Sequence, residues 1–421
     1  MNEMTAPLPD TFEPRRDSHV SFIGENGVFR RLVTVGALLE VVTFGFYRFW
    51  LTTNMRRHLW THTSVDGDTL EYTGRGRELL LGFLFALAVL IPIYLPYLYI
   101  SIELTRYKAF LSLPLFLFFY IFAQFAVFRA RRYRLTRTIW RGVRFWMTGS
   151  GWAYAAKAFA WQLLNGVTLG LSYPWSVASL ERYKMGHTNY GNLEGAFVGR
   201  GWAFFKRGWL LWLVAWIPVI LFVSVGVYAA YLKSNATGAA TGQIGSLIFL
   251  ASLSLIILPF VFAAFKAIEW KWWLESIRFG EVRFQSDLTP GALIGNYWAL
   301  IGMTVLAMIA GIVFMVIVIG AGMGLAYAFG VDFNAIGKEM QAKHFSMAFI
   351  PLIGVYILSY LGLIQLVGIV RRIYLIQRIW KIVADSITVQ HLEAAEHVLA
   401  EGQPASAFGE GLADGLDLAG F

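Results

Sequence analysis

The 421-residue sequence contains no cysteine. That excludes structural disulfides, iron–sulfur clusters and thiolate metal sites, and it leaves the redox compartment unreadable. Charge is scarce as well: Asp, Glu, Lys and Arg make up 14% of the chain, against roughly a quarter in an average soluble protein. Catalytic signatures are missing. There is no H-E-X-X-H, no G-X-S-X-G, no Walker loop and no acidic cluster with ligand spacing. The long apolar runs hold essentially no Asp or His, so intramembrane protease chemistry lacks its residues. The expectation is a non-enzymatic protein with no cofactor and no metal. The first twenty residues are polar and Pro-bearing, so no cleaved signal peptide is expected.

What is present is apolar and aromatic. Hydrophobic residues reach 57%, with 16 Trp, 19 Tyr and 34 Phe, a composition suited to interfacial belts at headgroup depth. Six runs have the roughly 20 residues that cross a bilayer: 78–99, 108–128, 208–231, 245–267, 295–328 and 347–370. They group into three hairpins with short connections near 100–107, 232–244 and 329–346. Only Arg106, Lys108, Lys233, Lys338 and Lys343 fall in or beside those connections. The segments between hairpins are basic, above all Arg129, Arg131, Arg132, Arg134, Arg137, Arg141 and Arg144. By the positive-inside rule these segments and both termini face the cytoplasm. The net charge of +9 is then topogenic, and no nucleic acid partner is expected.

Thr43 to Gly76 recurs without a gap, 125 positions later, as Thr168 to Gly201. The copies share Thr, Gly, Trp, Arg, His and Thr in register, and both close on an aromatic residue followed by X-G-R-G. This is the mark of duplication. Each copy includes part of a further apolar stretch, at 28–50 and at 152–180. Each stretch breaks at Gly and β-branched residues, V-T-F-G (42–45) and N-G-V-T-L-G (165–170), which weaken a helix. If each stretch crossed once, one basic segment or another would be stranded outside. Both therefore read as two short helices joined by a bend that dips in and returns. Irregular backbone at membrane depth needs cover, so the six crossing helices are expected to pack around them.

Between the apolar segments lie β-prone stretches. T-H-T-S-V-D-G-D-T-L-E-Y-T-G carries a D-G hairpin turn. T-R-T-I-W-R-G-V-R-F-W-M-T-G, H-T-N-Y-G-N-L-E-G-A-F-V-G and E-S-I-R-F-G-E-V-R-F-Q are weaker versions, and S-F-I-G-E-N-G resembles a final strand alone. Lone hairpins are marginal in water, so the strands should join into one or more small cytoplasmic sheets. The fold class is thus an all-α polytopic membrane bundle: six crossing helices in three hairpins, two duplicated re-entrant elements and short cytoplasmic β-hairpins. Its divisions are a polar tail (1–20), a first repeat (21–147), a second repeat (148–290), a third helical hairpin (291–381) and a cytoplasmic C-terminal region (382–421). That last region is expected to hold an Ala/Glu-rich helix from His391 to Ala400 and an acidic tail.

The run T-F-G-F-Y-R-F-W…R-R-H-L-W-T-H-T…G-D-T-L-E-Y-T-G-R-G-R-E-L-L-L-G-F, the R-T-I-W-R-G-V-R-F segment and the closing F-G-E-G-L-A-D-G-L-D resemble the YjgN-like bacterial inner-membrane proteins over nearly the whole chain. The resemblance implies a bacterial inner-membrane location, a domain of unknown function with no assigned activity or site residues, and a membrane-associated metallopeptidase as a partner to consider.

Polar groups at membrane depth are the main candidates, because an ionised side chain at bilayer centre costs roughly 2.5–3.5 kcal/mol on insertion scales. Glu40 lies just before the first bend, Asn165 opens the second, and Lys157 sits on the second dipping element. A Glu40–Lys157 pair is expected if the duplicated elements meet. Asn296, Lys266, Glu269 and Lys271 lie at ends of crossing helices. Arg129, Arg131, Arg132 and Arg134, interleaved with aromatics, are candidate contacts to anionic lipid headgroups. His62 and His187, each followed by Thr, are expected to bond to backbone at a turn rather than to hold metal. The X-G-X-G motifs lack the third Gly and βαβ frame of a dinucleotide loop and read as tight strand-to-helix turns. Two functions remain open: a transporter or channel for a small solute or lipid, sited near Glu40, Lys157 and Asn165, and an integral scaffold or adaptor for a membrane-associated peptidase.

Overall fold

The computed structural model describes residues 17–103, 108–235, 240–330, 350–403 and 405. Its organising element is a sheet. Eleven short strands pair antiparallel in the order β3-β2-β1-β11-β10-β9-β8-β7-β6-β5-β4. Their ranges are β1 (Ser18–Phe22), β2 (Thr63–Val65), β3 (Asp68–Thr69), β4 (Glu71–Tyr72), β5 (Thr138–Trp140), β6 (Val143–Met147), β7 (Thr188–Tyr190), β8 (Leu193–Phe197), β9 (Ile277–Phe279), β10 (Val282–Ser286) and β11 (Ile387–Gln390). The two ends of this order, β3 and β4, are consecutive in the chain and separated only by Leu70. One strand split between two neighbours thus closes the sheet into a ring. Closure removes exposed edges, which is how hairpins too weak to stand alone become stable.

The ring is built from five equivalent units. Four are hairpins with two-residue turns. Asp66-Gly67 and Arg141-Gly142 have positive φ at both positions, as a type I′ turn requires, whereas Gly191-Asn192 and Gly280-Glu281 put it on the leading Gly. The fifth unit is made by the chain's two end strands, β1 and β11, with Ser18 opposite Val389. At every joint the residue after a unit's second strand donates to the residue before the next unit's first strand. These five bonds run from the N–H groups of Ile23, Thr73, Thr148, Val198 and Asp287 to the carbonyls of His62, Arg137, His187, Ser276 and Ser386, at 2.8–3.1 Å. Equivalent side chains from each unit fill the interior: Val65, Trp140, Tyr190, Phe279 and Val389 belong to one apolar core. The fold is therefore mostly helical with an eleven-stranded antiparallel sheet, rather than all-α.

Each joint launches a helical hairpin. Three are tall: α3 (Gly76–Glu103) with α4 (Lys108–Thr136); α7 (Gly201–Asn235) with α8 (Ala240–Ser254) and α9 (Ile257–Ser276); and α10 (Pro290–Ala328) with α11 (Ile350–Arg371), a π-helical segment (Arg372–Gln377) and α12 (Arg378–Asp385). Two are short: α1 (Asn26–Val42) with α2 (Arg48–Thr61), and α5 (Gly151–Val167) with α6 (Tyr173–Met185). Both ends of each short hairpin attach to the ring, so the chain returns to the layer it left. Six helical stretches are long and apolar enough to cross a membrane: Gly76–Ile100, Ser112–Thr136, Gly201–Leu232, Gln243–Ser276, Pro290–Ala328 and Ile353–Asp385. The protein is a multipass membrane protein. Within the connections expected near 100–107, 232–244 and 329–346, residues 104–107, 236–239 and 331–346 lie outside the described residues.

Two expectations need correction. The tall helices do not form a bundle around the bends. Only 6–22% of their apolar windows is buried, and helices apolar all round leave that surface for lipid to cover. The bends are likewise uncovered, with Phe44 and Val167 each 83% exposed. Their polar groups are met mostly within the bend, with one bond from a tall helix in the second, the Trp212 indole N–H to the Leu169 carbonyl (3.4 Å). In the first, the Thr43 and Gly45 N–H groups reach the Leu39 and Glu40 carbonyls; in the second, those of Thr168 and Gly170 reach Leu164 and Asn165. Each Thr hydroxyl also donates back four residues, to Leu39 (2.7 Å) and Leu164 (2.8 Å), and accepts from an N–H four residues on, Tyr47 or Ser172. Phe44-Gly45 and Leu169-Gly170 take the positive-φ corner.

The stretch from His391 to Ala400 is a strap rather than a helix. It forms one 3-10 turn, Leu392–Ala395, because Leu392 and Ala395 are drawn into the ring's core. Tertiary burial overrides helix propensity here. The strap then crosses the lip of the ring: the Leu399 N–H donates to Asn192 Oδ1 (3.0 Å) and the Ala405 N–H to Thr136 Oγ1 (3.2 Å). The closing F-G-E-G-L-A-D-G-L-D run lies outside the described residues.

Candidate functional site

Glu40 and Asn165 occupy the same position in the two copies, three residues before the tip Thr, and the structure ties each differently. Glu40 is 4% exposed and pairs with Arg372, whose Nη2 lies 2.8 and 2.9 Å from the two carboxylate oxygens. Arg372 opens the π-helical segment, so the pair locks the first short hairpin to the last tall one. A π-turn widens the helix and marks functional positions in many proteins. Within this one the Tyr374 carbonyl accepts from Asn296 Nδ2 (2.8 Å). Asn165 stays within its own hairpin, accepting from Ser172 Oγ (2.6 Å) and donating to Ser176 Oγ (3.3 Å).

Lys157 is elsewhere. It is exposed and its ammonium sits 4.8 Å from the centre of the Tyr183 ring. The expected Glu40–Lys157 pair does not form, because the two short hairpins occupy separate places in the ring and Arg372 satisfies the carboxylate. Sequence reasoning missed Arg372, which lies 332 residues from Glu40. No local pattern announces such a partner. A second buried charge cluster joins Glu269, Lys266 (2.5 Å) and the Tyr173 hydroxyl (2.6 Å).

The four candidate lipid-contacting arginines are half-buried. Arg132 donates to the Gly149 carbonyl (2.5 Å), matching Arg57 to Gly74 (3.3 Å) and Arg182 to Gly199 (3.1 Å) at the equivalent joints. It is thus a repeated brace between helix end and G-X-G turn. Arg131 lies 3.9 Å from Glu181 and 3.1 Å from the Met185 sulfur. Thr138 bonds to the Arg134 carbonyl, and Arg129 sits one turn above Arg132 and Tyr133 on α4. His62 and His187 each place Nδ1 2.7 Å from the carbonyl four residues back, those of His58 and Tyr183, as a turn brace does. Among the described residues no group of three or more His, Cys, Asp or Glu could hold a metal.

The ring's interior is aromatic and tightly packed. Trp60 and Trp380 stack at 4.7 Å, and their indole N–H groups reach Thr138 and Thr63 at 2.9 Å. The Tyr190 hydroxyl donates to the Trp140 carbonyl (3.0 Å), and burial pushes its phenol up to about 12. On the outer face, by contrast, a polar groove of about 470 Å3 runs beside β10 and β11, lined by Lys271, Arg278, Arg283, Glu275 and Asp287.

A strand ring carrying tall apolar hairpins defines a polytopic membrane protein whose one sheet draws its strands from between all of its candidate membrane spans. The chain belongs to the DUF898 family, described as bacterial proteins of unknown function, whose model matches residues 17–415. The narrower YjgN-like name remains a resemblance. No curated protein and no solved structure matches the chain significantly.

Proposed function

We propose that this protein is a non-enzymatic scaffold of the bacterial inner membrane, with the ring and both termini in the cytoplasm and the two short hairpins re-entering the bilayer from that side. One observation carries the reading: equivalent residues Val65, Trp140, Tyr190, Phe279 and Val389 fill the ring, leaving the polar chemistry on its rim and outer face. A packed aromatic interior suits a rigid platform. The outer groove with Lys271, Arg278 and Arg283 offers a docking face for an acidic segment of a membrane-associated peptidase. Both the basic inter-hairpin segments and the shared layer of the end strands support the orientation.

The alternative, a transporter or channel sited at Glu40, Lys157 and Asn165, has less support because these residues do not converge. Copurification in mild detergent tests the scaffold reading. A membrane-associated metallopeptidase should accompany the native protein and be lost from the Lys271→Glu/Arg283→Glu variant at unchanged thermal stability. Retention by that variant rejects the docking face, and absence of any such partner from the native complex rejects the peptidase-scaffold role.

A further inference from the structure

The register that aligns Gly76 with Gly201 carries on into the helices that begin there, and in those helices the sequences diverge. In the first copy Phe49 on α2 meets Phe83 on α3, ring centres 5.2 Å apart, and Phe49 is 2% exposed. The equivalent positions in the second copy are Pro174 and Gly208. Where the first copy has two phenyl rings, the second has a pyrrolidine ring and a hydrogen. A groove of about 290 Å3 lies at that place, half open to the surroundings and lined by Leu169, Pro174, Phe204, Gly208, Trp212 and Phe265 among others.

Nothing in the backbone demands a glycine at 208. It sits inside α7, where glycine is a poor helix former, and its φ is ordinary. An added Cβ would meet only the Phe265 ring, at 3.4 Å, an ordinary contact. What a larger side chain would occupy is the groove itself. The lining is almost wholly apolar, and the Trp212 indole N–H is already directed at the Leu169 carbonyl (3.4 Å). The opening lies on a membrane-spanning helix, whose neighbouring Trp209, Leu210 and Leu213 are exposed apolar side chains that hydrocarbon must cover. A site of this size is at the lower end for small-molecule pockets. It suits a single chain segment and not a headgroup.

We infer that the groove between the second bend and α7 is a binding site for one acyl chain of a bilayer phospholipid, opened by Pro174 and Gly208 and closed in the sister copy by Phe49 and Phe83. The site distinguishes two otherwise equivalent hairpins and makes the second a lipid-holding element.

Photolabelling tests this directly. The full-length protein is reconstituted in phosphatidylethanolamine–phosphatidylglycerol vesicles doped with a phospholipid carrying a diazirine near the methyl end of one acyl chain. Adducts are then mapped by peptide mass spectrometry. The expected result is adducts on 169–174 and 204–212 several-fold above those on 44–49 and 79–87. Gly208→Phe should lower the former to the level of the first copy, and Phe83→Gly should raise the latter. Equal labelling of both copies in the native protein would mean annular lipid only and would overturn the site. So would unchanged labelling in a folded Gly208→Phe protein. Should that variant fail to fold, the absence of any rise in Phe83→Gly would do the same.

Discussion

Between Thr43–Gly76 and Thr168–Gly201 the backbone repeats at the tip and at the strand-to-helix joint, while equivalent side chains make different commitments. Both tips turn on a Thr hydroxyl and a positive-φ pair. Both helices that follow start on a glycine pressed against a tryptophan: a Cβ on Gly76 would lie 2.8 Å from Trp50 Cα, and one on Gly201 2.7 Å from Trp175 Cα. Yet Glu40 reaches across to the last unit, whereas Asn165 stays at home, and Phe83 fills what Gly208 leaves open. The shared part is what the ring requires of any short hairpin. The differing part is what each hairpin does with its place. The first is an anchor that helps close the ring between chain ends; the second is free of that duty.

Exchanging residues between the copies sharpens this contrast. The largest effect is expected at the tip carboxylate. Glu40→Ala strands a buried guanidinium and should cost about 3–5 kcal/mol, against about 1 kcal/mol for Asn165→Ala, which removes neutral hydrogen bonds. Thermal unfolding in detergent should show the gap, and Glu40→Leu/Arg372→Met should recover most of the loss. Lys157→Ala should be close to neutral; a loss matching that of Glu40→Ala would revive the Glu40–Lys157 pair. Next come the glycines. Gly76→Val and Gly201→Val overpack a helix crossing and should each cost about 1–3 kcal/mol, equally in both copies, read as loss of monodisperse protein on heating.

Smaller still, Thr43→Val and Thr168→Val each remove one tip cap, worth about 1 kcal/mol, and unequal losses would argue against a common frame. The smallest effect concerns His58, whose counterpart is Tyr183. Burial, and then the neighbouring His62, hold the His58 imidazole below its ordinary pKa. The folded state therefore binds fewer protons than the unfolded one, so stability is intact above the unfolded value near 6.5 and falls as pH drops toward the folded value. Melting temperature measured between neutral and mildly acidic pH should decline in the native protein and decline less in His58→Tyr.

Much of the frame was legible because it is written locally. Spans announce themselves by apolar length, and the V-T-F-G and N-G-V-T-L-G breaks do become corners. The D-G turn signals a hairpin, and the histidines brace backbone as their position suggests. What escaped is long-range. I-T-V-Q at 387–390 is too short to read as a strand until it meets Ser18–Phe22 from the opposite end of the chain and closes the ring. Arg372 looks like any juxtamembrane arginine until it is paired with Glu40. The strap from His391 has the composition of a helix, and only the apolar core it enters dictates otherwise. The Phe83/Gly208 exchange was within reach of sequence alone, had the repeat been followed a few residues past its last identity.

The central claim is that all five units lie in one layer on one side of the membrane, and the absence of native cysteine makes it directly measurable. Single cysteines at Asp66, Arg141, Asn192, Glu281 and Glu393, one exposed position per unit, are treated with an impermeant thiol reagent in intact cells and in inverted vesicles. The ring predicts one response for all five, and the proposed cytoplasmic orientation makes it reaction in inverted vesicles and none in intact cells. Labelling of any one of them from the periplasm, with the others protected, would contradict it.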